Sequence, residues 1–201
     1  DLTGNVYMTG PATSTVSIAS GGFQNSFSGG PYDAFLVKFT SAGNRLWGTY
    51  YGDAGNDGAY DVATDAWSNV YITGYTNSPN GIAFGGFQNT LSGFSDTFLA
   101  RFNSAGNRLW ATYYGGSGNE QVGSVTTGKS GKVYLGGDSY SSNNIAAGGF
   151  QNNLVGSENG FVVTFDTSGA RLCATYYGQN NETDGHVAVD TLGNVYLAGS
   201  T

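Results

Sequence analysis

Apolar and polar positions alternate with period two over short stretches, and the stretches return at a fixed distance. In the middle of the chain, Asp96 to Phe102 sets Phe98, Ala100 and Phe102 on one face and Leu99 and Arg101 on the other. After a polar turn at 103–107, Arg108 to Tyr114 sets Leu109, Ala111 and Tyr113 against Trp110, Thr112 and Tyr114. Such alternation predicts strands, and the turn predicts a hairpin with Gly106 in the left-handed position. Upstream, Tyr60 to Thr64 and Val70 to Tyr75 read as two more strands joined by a turn at 65–69. Residues 76–95 read as a long polar crossing loop, with Phe84 and Phe87 expected as its apolar anchors.

This four-strand order, A-B-C-D, recurs. Trp47, Trp110 and Cys173 stand 63 residues apart, as do Gly52, Gly115 and Gly178. Strand A is expected again at Gly123 to Thr127 and Gly185 to Val189. Strand B is expected at Val6 to Thr9, Val133 to Gly137 and Val195 to Ala198. Strand C is expected at Asp33 to Phe39 and Gly160 to Phe165, and strand D at Arg45 to Tyr51 and Arg171 to Tyr177. Both faces of C and D carry sizeable apolar groups, which is the pattern of a sheet covered on both sides. A four-stranded antiparallel unit repeated in tandem and covered twice is a β-propeller blade. A β-solenoid is the structural alternative, but its coils are shorter and lack repeated hairpins. Tandem sandwiches would need about seven strands in roughly 100 residues.

The expected architecture is therefore all-β, a single β-propeller region over 1–201. Its blades fall at about 1–52 (B-C-D), 53–115 (A-B-C-D), 116–178 (A-B-C-D) and 179–201 (A-B). Thirteen strands do not tile a closed ring, so the expectation is a portion of a larger propeller in a longer polypeptide.

Several motifs resemble the SBBP beta-propeller repeat family. They are the Gly-Asn-Val-Tyr runs ending in Gly (Gly4 to Gly10, Gly193 to Gly199) and Asp-Ala-Phe-Leu-Val-Lys-Phe (Asp33 to Phe39). Gly-Gly-Phe-Gln-Asn and the run Leu109 to Gly118 complete the set. The third copy departs most: Cys173 stands for Trp, Glu158-Asn159-Gly160 opens strand C, and Gly128 stands for Asp65. The resemblance implies secreted or surface-attached bacterial proteins in which such blades are non-catalytic architectural or binding modules. The expected location is extracellular or at the cell surface.

Composition narrows the partners. The formal charge is −7, and the seven Lys and Arg are spread along the sequence. Nucleic acid and anionic membrane surfaces need concentrated positive charge and are excluded as expected partners. No apolar run is long enough for a spanning helix. Cys173 is the only cysteine, so no internal disulfide is possible, and a buried inert thiol is expected.

Candidate chemistry is sparse. His186 is the sole histidine, and neither a nucleophile elbow nor a phosphate-binding loop is present, so no catalytic residue is assigned and no enzyme is expected. The loops from D to A carry Asp53, Asn56 and Asp57, then Asn119 and Glu120, then Asn180, Asn181, Glu182 and Asp184. Asp57, Glu120 and Glu182 share one phase. They suit either Ca²⁺ or, as the favoured reading, loop amides that pin the blade-to-blade crossing. No resident cofactor is expected. Trp47, Trp110, Tyr50, Tyr51, Tyr113 and Tyr114 lie within strand D and are expected to fill the space between blades. Trp67, at an A–B turn, is expected to be exposed.

The function expected from these readings is a scaffold that mediates protein interaction or adhesion. Its partners would be other blades or domains of the same polypeptide, neighbouring subunits, or a cell-surface protein. A lectin-like glycan-binding module is the alternative. A propeller enzyme with catalytic groups outside the segment is the third reading.

Overall fold

A computed structural model describes residues 1–179 and 183–200. Among them thirteen strands form and no helix does. β1 (Val6–Ala12), β2 (Asp33–Phe39) and β3 (Arg45–Tyr51) make the first sheet. β4 (Asp57–Thr64), β5 (Val70–Thr76), β6 (Asp96–Phe102) and β7 (Arg108–Tyr114) make the second. β8 (Glu120–Thr127), β9 (Val133–Ser139), β10 (Asn159–Phe165) and β11 (Arg171–Tyr177) make the third. β12 (Thr183–Val189) and β13 (Val195–Ser200) pair as the fourth. Every pairing is antiparallel, so the second and third sheets have the expected blade order A-B-C-D.

Strands C and D fall close to where alternation puts them, but strand A does not. It begins three residues early, at Asp57 and Glu120, so both carboxylates belong to strands and not to loops. The cause is a β-bulge. Ala59 pairs with Gly74 and Asp61 with Thr73, leaving Tyr60 unpaired between them. Gly123 is unpaired in the same way between Val122 and Ser124. The extra residue breaks the period-two pattern that a sequence reading relies on. It also brings Gly58 against strand B: a β-carbon on Gly74 would lie 1.8 Å from the Gly58 carbonyl oxygen. That close approach is why the strand B motif ends in glycine.

The core lies between sheets. Ala34, Leu36, Trp47 and Tyr51 of the first sheet pack on Ile72, Phe98, Ala100 and Phe102 of the second. Tyr71, Leu99, Trp110 and Tyr114 on the second sheet's other face pack on Leu135, Phe161, Val163 and Phe165 of the third. The indoles act as pins. Trp47 Nε1 donates to the Ser104 carbonyl and Trp110 Nε1 to the Thr167 carbonyl, each in the C–D turn of the following sheet. Those turns present Gly106 (φ +83°) and Gly169 (φ +86°) to the ring faces, where a β-carbon would come within 3.0 and 2.8 Å of indole carbons. Two separate constraints, the left-handed backbone and the ring, thus require glycine.

Two expectations on packing are corrected. Phe84 and Phe87 are not the loop anchors; both are substantially exposed, and Ile82 is the buried residue. Tyr51 donates its hydroxyl to the Ile82 carbonyl, and Tyr114 does the same to Ile145, so the loop is gripped through its backbone. Cys173 is exposed, not buried. The turn that covers Trp47 and Trp110 has no counterpart over Cys173 among the described residues.

Antiparallel order gives each blade two unlike ends. The five-residue A–B and C–D turns lie at one; the equally short D–A connections lie at the other, where each long B–C loop also leaves and rejoins the sheet after running along strand D. The site described next lies at the loop end.

Candidate functional site

Buried carboxylates organise the loop end. Asp57 is fully buried; Oδ1 accepts from the Thr76 hydroxyl, and Oδ2 accepts from Ser78 Oγ at 2.7 Å and from the Asp53 amide at 2.8 Å. Glu120 repeats the arrangement with Ser139, Ser141 and the Gly116 amide. A second buried carboxyl opens strand C. Asp96 accepts from the Ser92 and Gly93 amides and from Gln88 Nε2 at 2.8 Å. Gln88 in turn accepts from the Gly115 amide, and its backbone pairs with Thr112 and Tyr113. The Gly-Phe-Gln-Asn motif is therefore a lock between the B–C loop, strand D and the D–A loop. Gln24 and Gln151 occupy the same place, facing Asp33 and Asn159.

Electrostatics follow from burial. Desolvation raises Asp33 to about 6, helped by the charges of Asp57 and Asp53 and opposed by the Ser28 amide bond. Asp57, Asp96 and Glu120 are likewise pushed up by desolvation, against the donors that hold their charged forms. Gly52 separates Asp33 from Asp57, and Gly115 separates Asp96 from Glu120. A β-carbon at either glycine would strike both acids.

Above this lattice, between the second and third sheets, lies an open depression of about 420 Å³. Tyr60, Tyr75 and Phe94 form its apolar side, and Asn119, Glu120 and Gln121 its polar side. The bulge turns Tyr60 outward, and Phe94 is 77% exposed. The Tyr60 and Tyr75 rings stack with centroids 5.5 Å apart, and Tyr32 meets Tyr75 edge-on at 6.1 Å. These rings are not part of the repeat. One period on, Gly123 stands for Tyr60, Asp138 for Tyr75 and Ser157 for Phe94. The scaffold does not need them, because the neighbouring sheet folds without them.

Residues 46–83, from strand D of the first sheet into the B–C loop of the second, match the family described as SBBP, beta-propeller repeat. This stretch is similar to an SBBP repeat. A further similarity, 26% identity over 111 residues, is to an uncharacterized WD repeat-containing protein of Acanthamoeba polyphaga mimivirus. It covers 53% of this chain and 8% of the viral protein. With the sheet order, these similarities make the chain an all-β array of propeller blades.

The residues singled out from sequence sort by end. Trp47, Trp110, Tyr51, Tyr113 and Tyr114 are buried between sheets, as expected, whereas Tyr50 is buried beneath the B–C loop of its own sheet, its hydroxyl donating to the Ser14 carbonyl. Asp57 and Glu120 hold protein donors on both oxygens; Asn180, Asn181 and Glu182 lie outside the described residues. Asn56 pairs through its amide with Asn77 Oδ1 at 2.6 Å, and Asn119 is an exposed rim of the depression. Among the described residues no cluster of three His, Cys, Asp or Glu is arranged around a metal position. His186 is exposed on β12 and does not line the depression. Trp67 is 60% exposed at the turn end, over Gly131 of the third sheet, and not near the depression. Sequence reasoning missed Tyr60, Tyr75 and Phe94. Their signal was available: they are large apolar residues at phases where the other copies carry none.

Proposed function

We propose that this chain is a non-catalytic protein-interaction module that presents its loop end to a partner, through the depression at Tyr60, Tyr75 and Phe94. The observation that carries the reading is the break in the repeat. Side chains that build the blades recur at one spacing, whereas these three rings do not, and Tyr60 and Phe94 stay open to solvent. Exposed aromatic anchors with a polar rim are what association surfaces concentrate. A surface-attached or secreted bacterial protein, using such a module for scaffolding or adhesion, is consistent with the family resemblance and forms part of the proposal.

A parallel screen of the chain against a peptide library and a glycan array tests this. Peptide binding is expected, lost on Tyr60→Ala and Phe94→Ala and retained on Trp67→Ala at the opposite end. Glycan hits without peptide hits would replace the reading with the lectin one. Peptide hits indifferent to both loop-end substitutions would overturn the site.

A further inference from the structure

The seven Lys and Arg are dispersed in sequence but gathered in space. Lys38 and Arg101 sit one residue before the end of strand C; Arg45, Arg108 and Arg171 open strand D; Lys129 and Lys132 flank an A–B turn. All seven therefore stand at the turn end. Lys38 Nζ donates to Ser104 and Arg101 to Thr167 in the following turn, whereas Arg45, Arg108 and Arg171 start at the turn end and reach back to B–C loop carbonyls at Ser17 and Ile18, Gly81 and Ile82, and Asn144 and Ile145. At the loop end no Lys or Arg stands among the described residues, while Asp33, Asp53, Asp57, Asp96, Glu120 and Glu158 do. Asp1, Asp65, Asp166 and Asp190 share the turn end with the cations, Asp1 and Asp65 lying 3.8 and 3.7 Å from Lys38 and Arg101, whereas the strand and loop positions of the other end contribute acids alone, and the aromatic depression opens there.

Tyr and Phe rings present a negative face, and a cation over such a face is attracted to it, more strongly as the pair is desolvated. The molecule already uses this contact between blades: the Arg108 guanidinium lies 4.5 Å from the Phe23 centroid and that of Arg171 lies 4.3 Å from Phe87. Tyr60 and Phe94 offer rings with no Lys or Arg among the residues that line the depression. We infer that the Tyr60–Tyr75–Phe94 depression takes the cationic side chain of a basic, extended segment of a partner protein. The side-chain carbonyls of Asn119 and Gln121 at its rim supply acceptors for an ammonium or guanidinium, above the buried Glu120 carboxyl. Acids distributed along the loop end attract the flanking cations of the same segment. A neutral sugar ring or an apolar side chain would use the rings but not the charge asymmetry, and so fits less of what is present.

The inference rests on the protein-interaction reading above and is tested separately from it. Binding is measured for a short Lys- and Gly-containing peptide and for its counterpart with every Lys changed to Gln, at about 50 and about 500 mM salt, where the screening length falls several-fold. The Lys peptide is expected to bind at least about tenfold tighter at low salt and to lose that margin at high salt. Tyr60→Ala and Phe94→Ala are each expected to weaken it several-fold, and Gln121→Lys to abolish it. Both ring positions are exposed, so the variants should fold; thermal melting checks this. Equal binding of the two peptides overturns the inference, as does Lys-peptide binding indifferent to both ring substitutions. If the Gln peptide or a glycan binds and Tyr60→Ala removes it, the loop-end site stands and only its cationic preference fails.

Discussion

Trp47 donates its indole N–H to the backbone carbonyl of Ser104, 57 residues away in the next blade, at 3.1 Å. The bond is made through the one indole atom that can donate, while the ring covers Gly106. Trp110 and Thr167 repeat it at 3.0 Å. Blade order is thus fixed by a directional contact in addition to apolar burial.

Trp110→Phe is expected to lose the hydrogen bond and destabilise by about 1 kcal/mol. Trp110→Ala should cost about 3–5 kcal/mol through the cavity it leaves. Cys173→Ala, at the exposed equivalent position, should change stability by less than about 0.5 kcal/mol. Urea denaturation with a fixed m-value measures all three.

The buried acids set the sign of the pH dependence. Asp33 has its folded pKa raised to about 6 from 3.8, so the folded chain holds a proton there that the unfolded chain has released. Its stabilising contribution is full below about pH 4 and is lost as pH rises through about 6. Asp57, Asp96 and Glu120 shift in the same direction. The melting temperature should therefore rise from pH 8 towards pH 5, and Asp33→Asn should flatten part of that slope. The third blade already carries Asn159 there, with Oδ1 accepting from the Val155 amide and Gln151, so the substitution keeps the local bonds. An increase of melting temperature with pH over this range would contradict the burial argument.

Gln88→Glu places a third acid against Asp96, which now accepts from the Gln88 amide at 2.8 Å. Destabilisation of about 2 kcal/mol or more is expected at pH 8 and less at pH 5, where a shared proton restores the contact. Equal losses at both values would show that shape, not charge, governs the lock.

Ser68 holds φ +61° at an A–B turn where Gly4, Gly131 and Gly193 hold φ +81°, +80° and +91°. Ser68→Gly should stabilise by up to about 1 kcal/mol by removing the left-handed penalty. Thermal melting of the single variant is sufficient to test it.

The scaffold was readable because its demands are periodic. Alternation in Asp96–Phe102 and the returning Trp mark two strands and their two buried faces. Strand A was misplaced because a bulge at Tyr60 abolishes alternation where the strand begins, and because acids at Asp57 and Glu120 look like loop residues until Thr76 and Ser139 face them. Cys173 was misjudged because its environment belongs to a neighbouring blade, not to its own strand. The charge asymmetry was latent in the register: Lys38 and Arg101 share a phase, as do Arg45, Arg108 and Arg171, and phase decides the end of the molecule. The depression was hidden because its rings violate the repeat that made everything else legible.

The bulge at position 60 has a bearing on how such a chain can change. The bulged residue has no ladder partner in either sheet, yet the two posts are not alike. Tyr60 turns its ring out to solvent, whereas a β-carbon at Gly123 would lie 2.3 Å from the Gly185 carbonyl oxygen of the next sheet. One irregularity thus offers room for a new side chain where the following blade stands clear and demands glycine where that blade closes in.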